Sequence, residues 1–158
     1  MAKQAKRQLA GSGEALPVGV IGELIIASFS GIAAGSMPNS GTVVNLATLS
    51  LSPGTWLLFG KVTLNITATT AATDPYIAAG INITSASETG ASVQLAQFST
   101  GQATYRSCGC TTIVTVSAVP TTPVYLTARH GATTLNGATF SGSGGAVNSS
   151  FFYAMRIA

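Results

Sequence analysis

The stretch from Leu49 to Thr67, LSLSPGTWLLFGKVTLNIT, reads as two antiparallel-competent strand segments joined at Pro53-Gly54. From Trp56 onward, Trp56, Leu58, Val62, Leu64 and Ile66 fall on one face of an extended chain, with Gly60 as a gap. Thr55, Lys61, Thr63 and Asn65 fall on the other. This is the alternation of a half-buried strand. About twelve residues at roughly 3.3 Å each would span some 40 Å, well beyond an ordinary strand, so a bend or a switch of sheets is expected near Gly60. Long, bent strands of this kind belong to sandwiches and jelly rolls.

Working outward, the alternation of Val18, Val20, Leu24 and Ile26 marks a first strand. A Gly/Ser/Pro/Asn-rich connection from Ser28 to Gly41 follows. Further strands are expected at Thr42–Leu51, Thr55–Thr67, Tyr76–Thr84, Ser92–Phe98, Thr111–Ala118, Val124–His130, Ala138–Ser141 and Phe151–Ile157. Between them lie Asp74-Pro75, Glu88-Thr89-Gly90, Gly101, Pro120 to Pro123, Asn136-Gly137 and Gly142 to Gly145, which is turn chemistry at the spacing of an all-β sandwich. The closing strand is expected to be central and buried, with Phe151, Tyr153, Met155 and Ile157 opposite Phe152, Ala154 and Arg156. Residues 1–16 read as a polar arm, and residues 17–158 as one domain.

Only 7% of the residues are charged, against roughly 25% in ordinary soluble domains. The 21 Thr, 17 Ser and 18 Gly must therefore supply the water-facing set. So little charge leaves strand edges and apolar patches unprotected, which predicts self-association. Of the seven cations, Lys3, Lys6 and Arg7 lie in the arm. The other four (Lys61, Arg106, Arg129, Arg156) balance four anions (Glu14, Glu23, Asp74, Glu88). No basic stripe remains to follow a nucleic-acid backbone. No apolar run reaches the eighteen residues of a membrane span, and the first sixteen residues lack the apolar segment of a secretory signal, so synthesis in the cytoplasm is expected. The sequons at Asn65, Asn82 and Asn148 read as by-products of an Asn- and Thr-rich composition.

The inventory for catalysis is thin. His130 closes a strand, and Asp74, its one aspartate partner for a Ser-His-Asp arrangement, is explained by its turn before Pro75. No two of Glu14, Glu23, Asp74 and Glu88 are close in sequence, so no glycosidase pair stands out. Cys108, Cys110 and His130 offer three metal ligands without a recognised spacing. No catalytic, cofactor-binding or metal site is expected, and the two cysteines should be buried free thiols pointing to one face. The glycines of Gly142-Ser143-Gly144-Gly145 lack the lysine and helix of a phosphate loop. Lys61, Arg106, Arg129 and Arg156 are either outward strand residues or charges near a subunit seam, paired with Glu23 or Glu88.

The segments Pro17-Val18-Gly19-Val20-Ile21-Gly22-Glu23, Leu49 to Trp56, Thr122 to Ala128 and Ala154-Met155-Arg156-Ile157 resemble a family of bacteriophage and prophage virion proteins. These are small β-rich domains at tail-fibre tips or in head-fibre and decoration proteins. The resemblance covers residues 17–158 and leaves out the arm. It implies an all-β, tumour-necrosis-factor-like jelly roll of eight or nine antiparallel strands, assembled as a homotrimer, with no catalytic residues to carry over. Leu57-Leu58 departs from the family pattern and would thicken an apolar contact at the trimer seam; Cys108-Gly109-Cys110 departs as well. The expected role is a virion structural protein. Its arm, through Lys3, Lys6 and Arg7, joins it to major capsid or tail proteins, and its loops face a host surface glycan. Trp56, Leu58, Phe151 and Tyr153 are core or trimer-seam anchors, and glycan contact would fall to Tyr76, Asn136 and Asn148. The competing reading is a carbohydrate-binding or carbohydrate-degrading β-sandwich, a lectin or depolymerase.

Overall fold

The computed structural model describes residues 21–27, 29, 41–66, 76–87, 92–97, 104–117, 121–131, 139–140 and 149–158. These contain nine strands: β1 (Leu24–Ile26), β2 (Val44–Leu51), β3 (Gly54–Ile66), β4 (Tyr76–Asn82), β5 (Ser92–Gln97), β6 (Thr104–Val116), β7 (Thr122–His130), β8 (Thr139–Phe140) and β9 (Phe151–Arg156). One sheet runs β1-β9-β3-β6, with the short β8 also on β3; the other runs β2-β7-β4-β5. Every pairing is antiparallel. With β8 set aside, the eight remaining strands alternate between the sheets except for β4 and β5, which pair within one sheet, and this is the order of a jelly roll. No helix occurs among the described residues, so none is long and apolar enough to cross a membrane.

Most expected strands are present with boundaries shifted by a residue or two. β6 begins seven residues before the expected Thr111, because the full length of β3 pairs with it from Gly54↔Val116 to Ile66↔Thr104. Of the first expected strand, Leu24–Ile26 is present; its start at Val18 lies outside the described residues.

The two halves of the opening stretch do not pair with each other. β2 lies in one sheet and β3 in the other, so Ser52-Pro53 carries the chain across the sandwich. The reason lies in the corner. Gly54 adopts φ 146°, a conformation closed to most residues, and the Trp56 indole N–H donates to the Ser52 carbonyl at 2.9 Å. Leu49, Leu51, Trp56 and Leu58 can then all point into the space between the sheets.

Nor does β3 switch sheets at Gly60. Its register with β6 is unbroken, and what changes is the neighbour on its other side: β9 over Trp56–Lys61, then β8 at Leu64 and Asn65. Between the two, the Thr63 N–H donates to Ser150 Oγ at 3.0 Å, and its hydroxyl bonds Ser107 Oγ at 2.8 Å. Thr63, expected on the wet face, is therefore fully buried. Gly60 has a packing role. A Cβ there would lie 2.5 Å from Leu126 Cδ1 of the facing sheet and 3.1 Å from Cys110 Sγ.

The core is one cluster between the sheets. β3 gives it Trp56, Leu58, Val62 and Leu64; β9 gives Phe152 and Ala154; β7 gives Val124, Leu126 and Ala128. β9 is central, as expected, between β1 and β3. Its inward set, however, is the even-numbered one.

Candidate assembly face

The residues singled out in the sequence separate into inner and outer sets. Trp56 and Leu58 are fully buried core residues. Phe151 is 40% exposed and Tyr153 half-buried, so the core reading of these two is corrected. The parity of β9 explains it: Phe152 and Ala154 take the inner positions and send their odd-numbered neighbours outward.

Cross-strand register extends that outward set over all four strands of the sheet. Leu24, Met155, Leu57 and Ile113 stand side by side on β1, β9, β3 and β6. The next row is Ile26, Tyr153, Phe59 and Thr111, and the one after it Phe151, Lys61 and Gly109. Leu24, Ile26 and Ile113 are 56%, 68% and 61% exposed, and Met155 36%. This sheet thus has a second apolar surface in addition to the one in the core. At about 4.8 Å between strands and 3.3 Å per residue, four strands by six residues give roughly 400 Å² of sheet surface, in the range of the largest, often functional, patch on a soluble protein.

Three aromatic rings form a column on this face. Tyr153 stacks on Phe59 with centroids 5.0 Å apart and on Phe151 at 5.5 Å, the interplanar angles being 26° and 30°. Tyr153 thus has one aromatic neighbour across the strand pair and another two residues away along its own strand. Beside the column is an open depression of about 270 Å³, walled by Phe59, Lys61, Ser107, Gly109, Thr111 and Phe151.

The remaining charges are distributed as follows. Arg156 is paired with Glu23, Nη1 to Oε2 at 3.7 Å, both side chains nearly buried. The same guanidinium donates to Ser52 Oγ at 3.1 Å and to the Pro53 carbonyl, and lies over the Trp56 ring at 5.4 Å. It is an intrachain clasp holding β9 to the Ser52–Gly54 corner. Arg129 lies over the Tyr76 ring, 5.5 Å from its centroid, and Tyr76 itself packs on Gly131. Tyr76 is half-buried there, in contact with both residues. Asn136, Asn148 and the arm residues Lys3, Lys6 and Arg7 lie outside the described residues, as do Glu14, Asp74 and Glu88.

His130 is buried at the end of β7, its carbonyl accepting the Gly41 N–H at 2.7 Å. Cys108 and Cys110 are buried and form no disulfide, both directed inward from β6. Burial raises the Cys108 thiol, and burial together with repulsion from Cys108 pushes Cys110 up to about 12, so both are protonated at neutral pH. Asn82 of the second sequon is buried, its side chain bonded to the Thr84 N–H and the Ser87 carbonyl. Among the described residues, no three His, Cys, Asp or Glu side chains come together as a metal site.

The outer face as a whole was not read from the sequence, although a signal existed. Trp56-Leu57-Leu58-Phe59 and Phe151-Phe152-Tyr153-Ala154-Met155 are apolar runs, and an uninterrupted run in a strand means burial on both faces.

The fold and this face define a jelly-roll sandwich with one outward apolar sheet. No protein-family model matches the chain, and no curated protein does. Among solved structures it is similar to a chain in the structure of infectious bursal disease virus Gt strain, at 10% identity and a TM-score of 0.46. The match covers 87% of this chain and 38% of that one, so this chain spans well under half the length of its neighbour.

Proposed function

We propose that this chain is a non-enzymatic structural protein of a bacteriophage virion, a homotrimeric decoration or fibre protein made in the host cytoplasm. Residues 1–16 join it to capsid or tail proteins, and the assembled domain stabilises the shell or aids adhesion to a host surface glycan. The observation that carries this reading is the outer face of the β1-β9-β3-β6 sheet. Its rows of Leu24, Met155, Leu57 and Ile113 and of Ile26, Tyr153 and Phe59 form an apolar surface that a chain with 7% charged residues has little means of keeping in solution alone. Burying it against other copies removes the liability, and the Leu57 that departs from the family pattern lies in its middle. The resemblance of residues 17–158 to virion proteins supplies the context.

The test is the mass of the full chain in solution. Sedimentation equilibrium at micromolar concentration should give three times the 15.8 kDa chain mass, and Leu57→Ser/Ile113→Ser should lower it. A wild-type chain that sediments as a monomer overturns the proposal.

A further inference from the structure

The strand β6 carries a glycine that nothing among the described residues requires. Gly109 sits in the middle of a thirteen-residue strand whose register with β3 is continuous, so it marks no bulge. Its φ is not among the positive values found at Gly22, Gly41 and Gly54. Among the described residues, a Cβ built on it would meet only the Gly60 carbonyl oxygen, at the ordinary contact distance of 3.5 Å. The contrast with Gly60 is direct, since a Cβ there would strike Leu126. Glycine is poor in strands, and without a bulge, a turn or an internal clash the remaining reason for it is close approach from outside.

Outside Gly109 is the depression of about 270 Å³ on the apolar outer face, with Phe59 and Phe151 among its walls. We infer that this depression is a socket for an apolar side chain of a second copy of this chain, and that Gly109 keeps it open. The inference rests on the self-assembly reading and adds to it the place where the copies interlock. A second copy is the occupant that the surface fits. Five of the exposed apolar side chains, Leu24, Ile26, Ile113, Phe151 and Met155, lie on this same face and can act as knobs, whereas exposed Ile21 and Ile83 lie outside its rows. Every copy therefore brings both knob and socket on one continuous surface, and packing them together leaves neither uncovered. Lys61, in the wall, would oppose a basic partner while its aliphatic stem lines the apolar pit.

The experiment uses the full chain and three variants, Gly109→Ala, Gly109→Leu and Gly109→Cys. Gly109→Leu fills the socket and should weaken self-association on the order of tenfold to a hundredfold, read by sedimentation at graded concentrations. Its far-UV circular dichroism should match wild type, because the added side chain enters the open depression on the outer face and its Cβ makes only an ordinary contact there among the described residues. Gly109→Ala should weaken it less. Should Gly109→Leu not fold, Gly109→Cys gives the answer through alkylation of the introduced outward thiol, which should be slow in the oligomer and fast on dilution. An oligomer indifferent to Gly109→Leu, or an introduced thiol equally reactive in both states of Gly109→Cys, overturns the socket alone; a wild type that is monomeric at every concentration overturns the assembly reading with it.

Discussion

Replacing Arg156 with methionine tests how the last strand is fastened. The guanidinium lies 3.7 Å from the Glu23 carboxylate, donates to Ser52 Oγ and the Pro53 carbonyl, and covers the Trp56 ring. Relative exposures of 13% for the Arg156 side chain and 7% for that of Glu23 keep the pair out of bulk water. Breaking such a pair by removing one partner costs about 3–5 kcal/mol, mostly because the other charge loses its compensation in a poorly solvated place. The pair is not fully enclosed, so about 3 kcal/mol is the working figure for Arg156→Met. At about 2–4 °C per kcal/mol for a chain of this size, the unfolding midpoint should fall by about 6–12 °C. Trp56 is the single tryptophan, so urea unfolding followed by its fluorescence reports from the clasp itself. Protein concentration must be held constant, because self-association would shift the midpoint by mass action. The double variant Glu23→Met/Arg156→Met should recover most of the loss, since both charges are then gone. A loss below about 1 kcal/mol in Arg156→Met, or a double variant no more stable than the single one, would refute this account of the clasp.

Gly60→Val should destabilise the fold by about 1–3 kcal/mol through overpacking against Leu126 and Cys110, seen as a lower thermal midpoint; an unchanged midpoint would mean that the facing sheet yields freely. The native protein should show no rapidly reacting thiols with a disulfide reagent at pH 8, and two after denaturation. The pH dependence follows from the direction of the shifts. The folded chain holds the Cys108 and Cys110 protons more tightly than an unfolded chain does, its thiols titrating near 9, so this contribution to stability is full below pH 9 and is lost as pH rises toward about 12. Urea midpoints for Cys108→Ala/Cys110→Ala that fall as steeply as wild type across that window would assign the effect to other groups.

Strand positions were legible because alternation and turn chemistry agree. Val124, Leu126 and Ala128 take alternate core positions along β7, although Thr127 between them is buried as well, and Pro53-Gly54 does mark a corner. The jelly-roll order followed from the resemblance and not from periodicity, which says which residues share a face but not which strands are neighbours. That is why a hairpin at Pro53-Gly54 was a natural expectation and a crossing between sheets was not. The start of β6 was hidden by Arg106 and Ser107, whose polarity weakens the pattern that pairing with β3 imposes. Thr63 was misplaced because its burial depends on Ser107 and Ser150, far away in the chain. The assembly face was legible only in part: Phe151 and Tyr153 are expected as core or trimer-seam anchors and Leu57-Leu58 at the seam, but alternation alone does not show that two surfaces share a run such as Phe151 to Met155.

The order of the strands has a kinetic meaning. β4 pairs with β5, β3 with β6, β2 with β7 and β1 with β9, a nested set in which each closure brings the ends of the next loop together. Loop entropy favours starting at the innermost pair and ending at the outermost, and so many long-range pairings predict slow folding. Pulsed hydrogen exchange should find β4 and β5 protected before β9; the reverse order would contradict this. On that schedule β1 and β9, which complete the sticky outer sheet, arrive last, and the chain withholds its adhesive surface until the rest of the fold is in place.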